Sequence, residues 1–106
     1  MIDINIRKED SGRHGRYVAT VAGIDAEAEL TFTHRGSGLV SADHTAAPDA
    51  LKGTGAAAAL AQYLVLDARA NGFKIIPLCP FVRAQYLKHP DWQDVMTVDP
   101  GQTPSI

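Results

Sequence analysis

Ile2, Ile4 and Ile6 alternate with Asp3, Asn5 and Arg7, the two-residue period of a strand with one buried face. A polar, glycine-containing break follows at Ser11–Gly15. Arg16–Ala22 then carries Tyr17, Val18, Thr20 and Val21 up to Gly23. Alternation resumes over Ala26–His34, with Ala28, Leu30 and Phe32 on one side and Glu27, Glu29, Thr31 and Thr33 on the other. Arg35–Gly38 supplies two glycines for a hairpin turn. Leu39–Thr45 reads as the returning strand, weakened by the short Ser41 and Ala42. Four short strands joined by tight turns predict an antiparallel meander.

At Pro48 the pattern changes. From Ala56 to Asn71 the apolar positions Ala57, Leu60, Ala61, Leu64 and Ala68 recur at spacings of three and four, which predicts a helix with one apolar stripe. Gly72 stands where a left-handed helix stop belongs. Phe73–Cys79 reads as a strand buried on both faces, which favours a parallel or central place. Pro77 should shorten or bulge it. Pro80 opens a second, shorter helix reaching Leu87 and closed by His89-Pro90. Asp91–Val98 is expected to add a final strand, and Asp99–Ile106 a loose tail. The sum is an α+β fold: a mostly antiparallel sheet, a crossover helix and a short second helix. One domain, 1–98, is expected, with the tail at 99–106.

Composition narrows the setting. A chain of 106 residues is one ordinary domain. The longest apolar stretch, Ala56–Leu66, is alanine-rich, interrupted by Gln62, and too short to span a bilayer. Met1–Arg7 has Asp3 early and no basic segment before an apolar run, so no secretory leader is expected. A net charge of −2 leaves no electrostatic footprint for nucleic acid. The single cysteine, Cys79, cannot form a disulfide within the chain and suits a reducing, cytoplasmic setting. His14, His34, His44 and His89 show no metal-ligand spacing, so no metal is expected.

Lys52-Gly53-Thr54-Gly55-Ala56-Ala57 is the first stretch with chemistry in it. Glycines let the backbone turn sharply and approach a ligand closely. The following helix offers unpaired amides and a partial positive charge at its start. Together these can seat a pyrophosphate, with Lys52 adding charge at the rim. The stretch fits neither the phosphate loop of nucleoside triphosphatases nor the dinucleotide pattern. The plainer alternative is a flexible loop before an alanine helix.

Cys79 sits at the end of a buried strand and just before a helix start, a place that favours thiolate. It is either a nucleophile that accepts an acyl group or a small inert core residue. His44 is the candidate base, alongside Cys79 across neighbouring strands, or else a satisfied strand histidine. His89 is a second candidate base, or else simply anchors the end of the second helix. His14 and His34 fall near turns and are expected to be exposed.

Lys52-Gly53-Thr54-Gly55-Ala56-Ala57 resembles Arg/Gln-x-x-Gly-x-Gly/Ala, the acetyl-CoA motif of the GNAT superfamily. Lys52 is at the Arg/Gln position, a departure that keeps the positive charge. His44-Thr45 before the loop, Pro77-Leu78-Cys79-Pro80 after the helix, and His89-Pro90-Asp91 match the small GNAT-like predicted N-acetyltransferases of the YjdJ or NATD type. The resemblance covers Tyr17 to Val95. It implies a minimal GNAT fold with coenzyme A in a cleft between splayed strands. It further implies the pyrophosphate on Lys52, Gly53, Thr54, Gly55, Ala56 and Ala57. The pantetheine would run beside His44, Thr45 and Ala46, with Cys79 and Pro80 across from it. Many GNAT enzymes use a tyrosine on the second helix to protonate the departing thiolate, which points to Tyr86, though Phe81 stands where those enzymes have Asn. Tyr86 as a packing aromatic is the alternative. Arg83 and Lys88 read as a solvated helix face.

The resemblance implies transfer of an acetyl group from acetyl-CoA to an amine acceptor, directly or through Cys79; a monomer or weak homodimer is expected, since an exposed edge strand would permit a dimer and nothing requires one. The competing readings are a non-catalytic CoA or acyl-CoA-binding module or sensor and, last, a redox-reactive thiol on a small α+β scaffold.

Overall fold

The computed structural model describes residues 3–104. Ile2, the first of the alternating isoleucines, and the last two residues of the tail lie outside the described residues. Five strands lie side by side in chain order: β1 (Ile4–Asp10), β2 (His14–Val21), β3 (Ile24–Gly36), β4 (Leu39–Ala46) and β5 (Lys74–Pro77). β1 to β4 form the antiparallel meander, and β5 joins β4 in parallel. A parallel neighbour needs a crossover connection, and α1 (Ala56–Asn71) supplies it. α2 (Pro80–Lys88) follows β5. This is the mixed α+β architecture that the hydrophobic pattern predicts.

The alternation in the strands sets one face of the sheet against the helices. Tyr17, Ala19 and Val21 of β2 and Ala28, Leu30 and Phe32 of β3 are all buried on that face. α1 lays Ala56, Leu60, Ala61, Leu64, Val65 and Ala68 on it. Ala56 and Val65 join the stripe in place of Ala57, which stays half-buried, because the helix turns about its four-residue repeat 56, 60, 64, 68. The small alanines let the helix axis come close to the sheet. Gly72, at φ 73°, ends the helix, its amide donating to the Ala68 carbonyl at 2.9 Å.

A polar clasp holds β1 to the other end of α1. Asp67 accepts from the Tyr17 hydroxyl at 2.6 Å and pairs with Lys8 at 2.8 Å. Burial alone would push the Asp67 carboxyl up, but the bonds from Lys8, Tyr17 and Asn71 outweigh it, and the group titrates below the usual carboxylate range. Tyr17 is pushed well above its ordinary value, first by burial and then by the Asp67 bond.

Among the described residues the opposite face of the sheet carries no helix. It is laced by Arg7 with Glu9 and Glu27, and by Arg16 with Glu9 and Glu29, exposed pairs that keep the face wet and add little stability.

Residues 91–98 depart from expectation. Instead of a final strand, Pro90–Val95 form a 3₁₀ helix, followed by a single parallel bridge between Ile75 and Met96. The proline suits a helical first position, and Trp92 and Val95, three apart, are both buried as the three-residue turn requires. His89 stacks on Trp92 at 4.7 Å and its amide closes α2. The tail then folds back: Tyr86 donates its hydroxyl to the Val98 carbonyl at 2.8 Å, and Pro104 is buried.

Candidate active site

The parallel pair β4–β5 comes apart at its carboxyl end. Pairing stops at Ala42 with Pro77, while β4 continues along β3 to Ala46. Proline has no amide to extend the ladder. Leu78 turns back on Ile76 at 2.9 Å, and the Cys79 amide takes the last contact, to the Ala42 carbonyl at 2.8 Å. Arg83 reaches back from α2 and donates to the Pro77 and Leu78 carbonyls at 3.0 and 2.6 Å. It braces the turn rather than standing on a solvated face. From Asp43 to Ala46 the β5-side edge of β4 therefore has no strand partner. Crevices outside the carboxyl ends of parallel strands are where open sheets take their ligands.

The glycine loop opens at the same end, since α1 begins where β4 has finished. Gly53 and Gly55 have φ of 82° and 84°, values that favour glycine, and no atom stands within 4 Å of where a Cβ would be on either. The Thr54 hydroxyl donates to the Leu51 carbonyl at 2.6 Å and accepts from the Ala56 amide at 3.2 Å. The Ala59 amide takes the Gly55 carbonyl at 2.9 Å. The amides of Gly53, Gly55, Ala57 and Ala58 find no acceptor among the described residues. Lys52 is exposed and makes no ion pair among the described residues. Unpaired donors, a positive helix end and open space above them suit a pyrophosphate.

Cys79 is the residue before α2, and it is 2% exposed. Its thiol lies 3.2 Å from the Thr45 hydroxyl. His44, the expected neighbour, is exposed on the other face of the sheet. The reason is a β-bulge. Phe32 pairs with Ala42 and Thr31 with His44, so Asp43 has no partner of its own. The extra residue resets the alternation. Ala42 faces the core with Phe32, Asp43 and His44 both face outward, and Thr45 turns inward opposite Leu30. A strict two-residue period from Ala42 would have exchanged His44 and Thr45. Nothing in the hydrophobic pattern marks a bulge at Asp43, so the sequence carried no signal for this exchange.

The structure thus brings together Thr45, Cys79 and the free edge of β4, and the loop follows where β4 has finished. It leaves Tyr86 apart in its bonding: that side chain is 1% exposed, and its proton is committed to Val98. Burial, then the nearby Asp99 and Asp94 charges, push the Tyr86 phenol up. Among the described residues no three His, Cys, Asp or Glu side chains gather as a metal-binding group. Among the described residues no helix is long and apolar enough to cross a membrane.

A family model described as GCN5-related N-acetyl-transferase matches residues 16–95, from within β2 to the end of the 3₁₀ helix. That span contains the loop, the splayed strands and Cys79. No curated protein matches the chain. With three quarters of its length inside that model, and a sheet that splits beside a glycine-led helix, the chain belongs to the GCN5-related N-acetyltransferase family.

Proposed function

We propose that the protein transfers an acetyl group from acetyl-CoA directly to an amine. The carrying observation is the set of unpaired amides at Gly53, Gly55, Ala57 and Ala58 beside the split of β4 from β5. These residues, with Lys52, would hold the pyrophosphate, and the unpaired edge of His44, Thr45 and Ala46 would take the amides of the pantetheine arm. Acetyl-CoA supplies the activated thioester.

Helices cover one face of the cleft, so the acceptor approaches from the bare face. His44 lies on that face, one residue from Thr45, and is placed to take a proton from the attacking amine. A nitrogen–carbon bond forms, the carbon–sulfur bond breaks, and coenzyme A departs as the thiol. Most of the rate would come from holding amine and thioester together.

Two observations favour the direct route over transfer through Cys79. The thiol is almost fully buried, and its hydrogen-bonding neighbour is a hydroxyl, not a base. Cys79 and Thr45 then form the wall on the helix side.

The test is acetyl transfer to a panel of primary amines. His44→Gln should cut turnover about a hundredfold, within the span typical of a lost general base, while acetyl-CoA affinity holds. Cys79→Ala should keep turnover within a few-fold. Loss of turnover in Cys79→Ala, with an acetylated thiol in the intact mass of the parent protein, would replace the direct route by the covalent one. Binding of acetyl-CoA without turnover on any amine would leave a CoA-binding module or sensor.

A further inference from the structure

Two residues of the β3–β4 pair have no partner across that ladder. One is Asp43 of β4; the other is Arg35 of β3, since His34 pairs with Val40 and Gly36 with Leu39. The two extra residues are tied to each other. Asp43 accepts from the Thr33 hydroxyl at 2.5 Å through one oxygen and from the Ser41 hydroxyl at 2.7 Å through the other. Arg35 donates through Nε to the Ser41 oxygen at 2.9 Å, and its Nη2 lies 3.8 Å from Asp43 Oδ1. His14 closes the group from β2, with Nδ1 3.2 Å from the Thr33 oxygen.

Ser41 is 0% exposed and Thr33 4%. Asp43 is the acceptor that both hydroxyls use, so removing its carboxylate would leave two buried hydroxyls without one, which is costly. The bulge is thus held in place by a bonded network rather than tolerated as slack.

We propose that Asp43 is a positioning residue for the acyl-transfer cleft. Its carboxylate pins the bulge, and the bulge decides that Thr45 meets the Cys79 thiol while His44 faces the acceptor side. The geometric half of this inference stands without the proposed chemistry; the catalytic half rests on it.

The experiment uses the single native cysteine. Oxidation with copper phenanthroline should close a disulfide between Cys79 and position 45 in Thr45→Cys, and leave His44→Cys reduced. With Asp43→Ala added, β4 can return to regular alternation, and the preference should shift at least tenfold toward position 44. Steady-state kinetics read the catalytic half. Asp43→Ala should lose at least tenfold in kcat with KM for acetyl-CoA within about twofold. Asp43→Asn, which keeps the shape and can bond both hydroxyls, should recover most of the loss.

If Asp43→Ala fails to fold, Ser41→Ala replaces it in both arms and should shift the trapping in the same direction. An unchanged 45-over-44 preference in the variants would overturn the proposal. So would an Asp43→Asn as impaired as Asp43→Ala, because the charge itself would then be at work. Failure of the proposed chemistry would show as absent turnover in the parent protein and leave the trapping result intact.

Discussion

Replacing Gly55 separates the shape of the loop from its charge. The residue has φ 84° and ψ 8° as the cap of α1, a region that costs an ordinary L-residue about 1–2 kcal/mol. A Cβ there meets nothing within 4 Å, so Gly55→Ala and Gly55→Glu carry the same backbone strain and no clash. For a domain of this size such a strain lowers Tm by about 4–16 °C. Glu should be the less destabilised of the two, because a negative charge at a helix start regains about 0.3–1 kcal/mol.

Affinity should run the other way. A carboxylate about 6 Å from a phosphate charge repels it by about 2.8 kcal/mol at an effective dielectric of about 20. Salt at physiological strength removes roughly half of that for an exposed pair. Two phosphates then give about 2.8 kcal/mol, or roughly a hundredfold weaker binding. Isothermal calorimetry with acetyl-CoA should find Gly55→Glu down about a hundredfold and Gly55→Ala within about threefold. The gap should narrow at high salt. Equal losses in both variants would refute the electrostatic argument, leaving only loop shape. Unchanged affinity in Gly55→Glu would remove the pyrophosphate from this loop.

Other outcomes follow from the packing. A Cβ on Gly15 would lie 2.3 Å from the Phe32 ring and 2.7 Å from the Glu9 carbonyl; Gly15→Ala should cost about 1–3 kcal/mol in denaturant unfolding, as overpacking does. Leu64, at 0% exposure in the face of α1, should lose about 2–5 kcal/mol on change to Ala in the same assay. Asp67 titrates below its ordinary value in the fold, so its contribution is present above the unfolded carboxyl pKa and lost as pH falls through the folded one. Asp67→Asn should therefore flatten the acid limb of a stability–pH profile, and an unaltered limb would count against the clasp. Tyr86→Phe removes the bond to Val98 and should lower stability by about 1 kcal/mol while leaving kcat within a few-fold; a collapse of kcat would return Tyr86 to a catalytic role.

The sequence by itself determined the elements that local chemistry dictates. Alternation over 16–22 and 26–34 marked two half-buried strands, and apolar positions at spacings of three and four, with Gly72, marked α1 from Ala56 to Asn71. Pro77 foretold a short β5, and the two glycines before α1 marked an open loop. Each of these depends on a residue's own backbone preference or on a regular period, both of which survive in one dimension.

Tertiary structure decided the rest. The 3₁₀ turn of Pro90–Val95 formed because Trp92 and Val95 found the core three residues apart. Arg83 braced the β5 turn because the chain folded back beneath it. Above all, Asp43 broke the period of β4, so Thr45 and not His44 meets Cys79. Alternation predicts facing only while a strand stays regular, and one extra residue inverts it for all that follow. What holds that residue in place is a set of hydroxyls on Thr33 and Ser41 and the guanidinium of Arg35, partners from two strands that only the assembled sheet puts side by side.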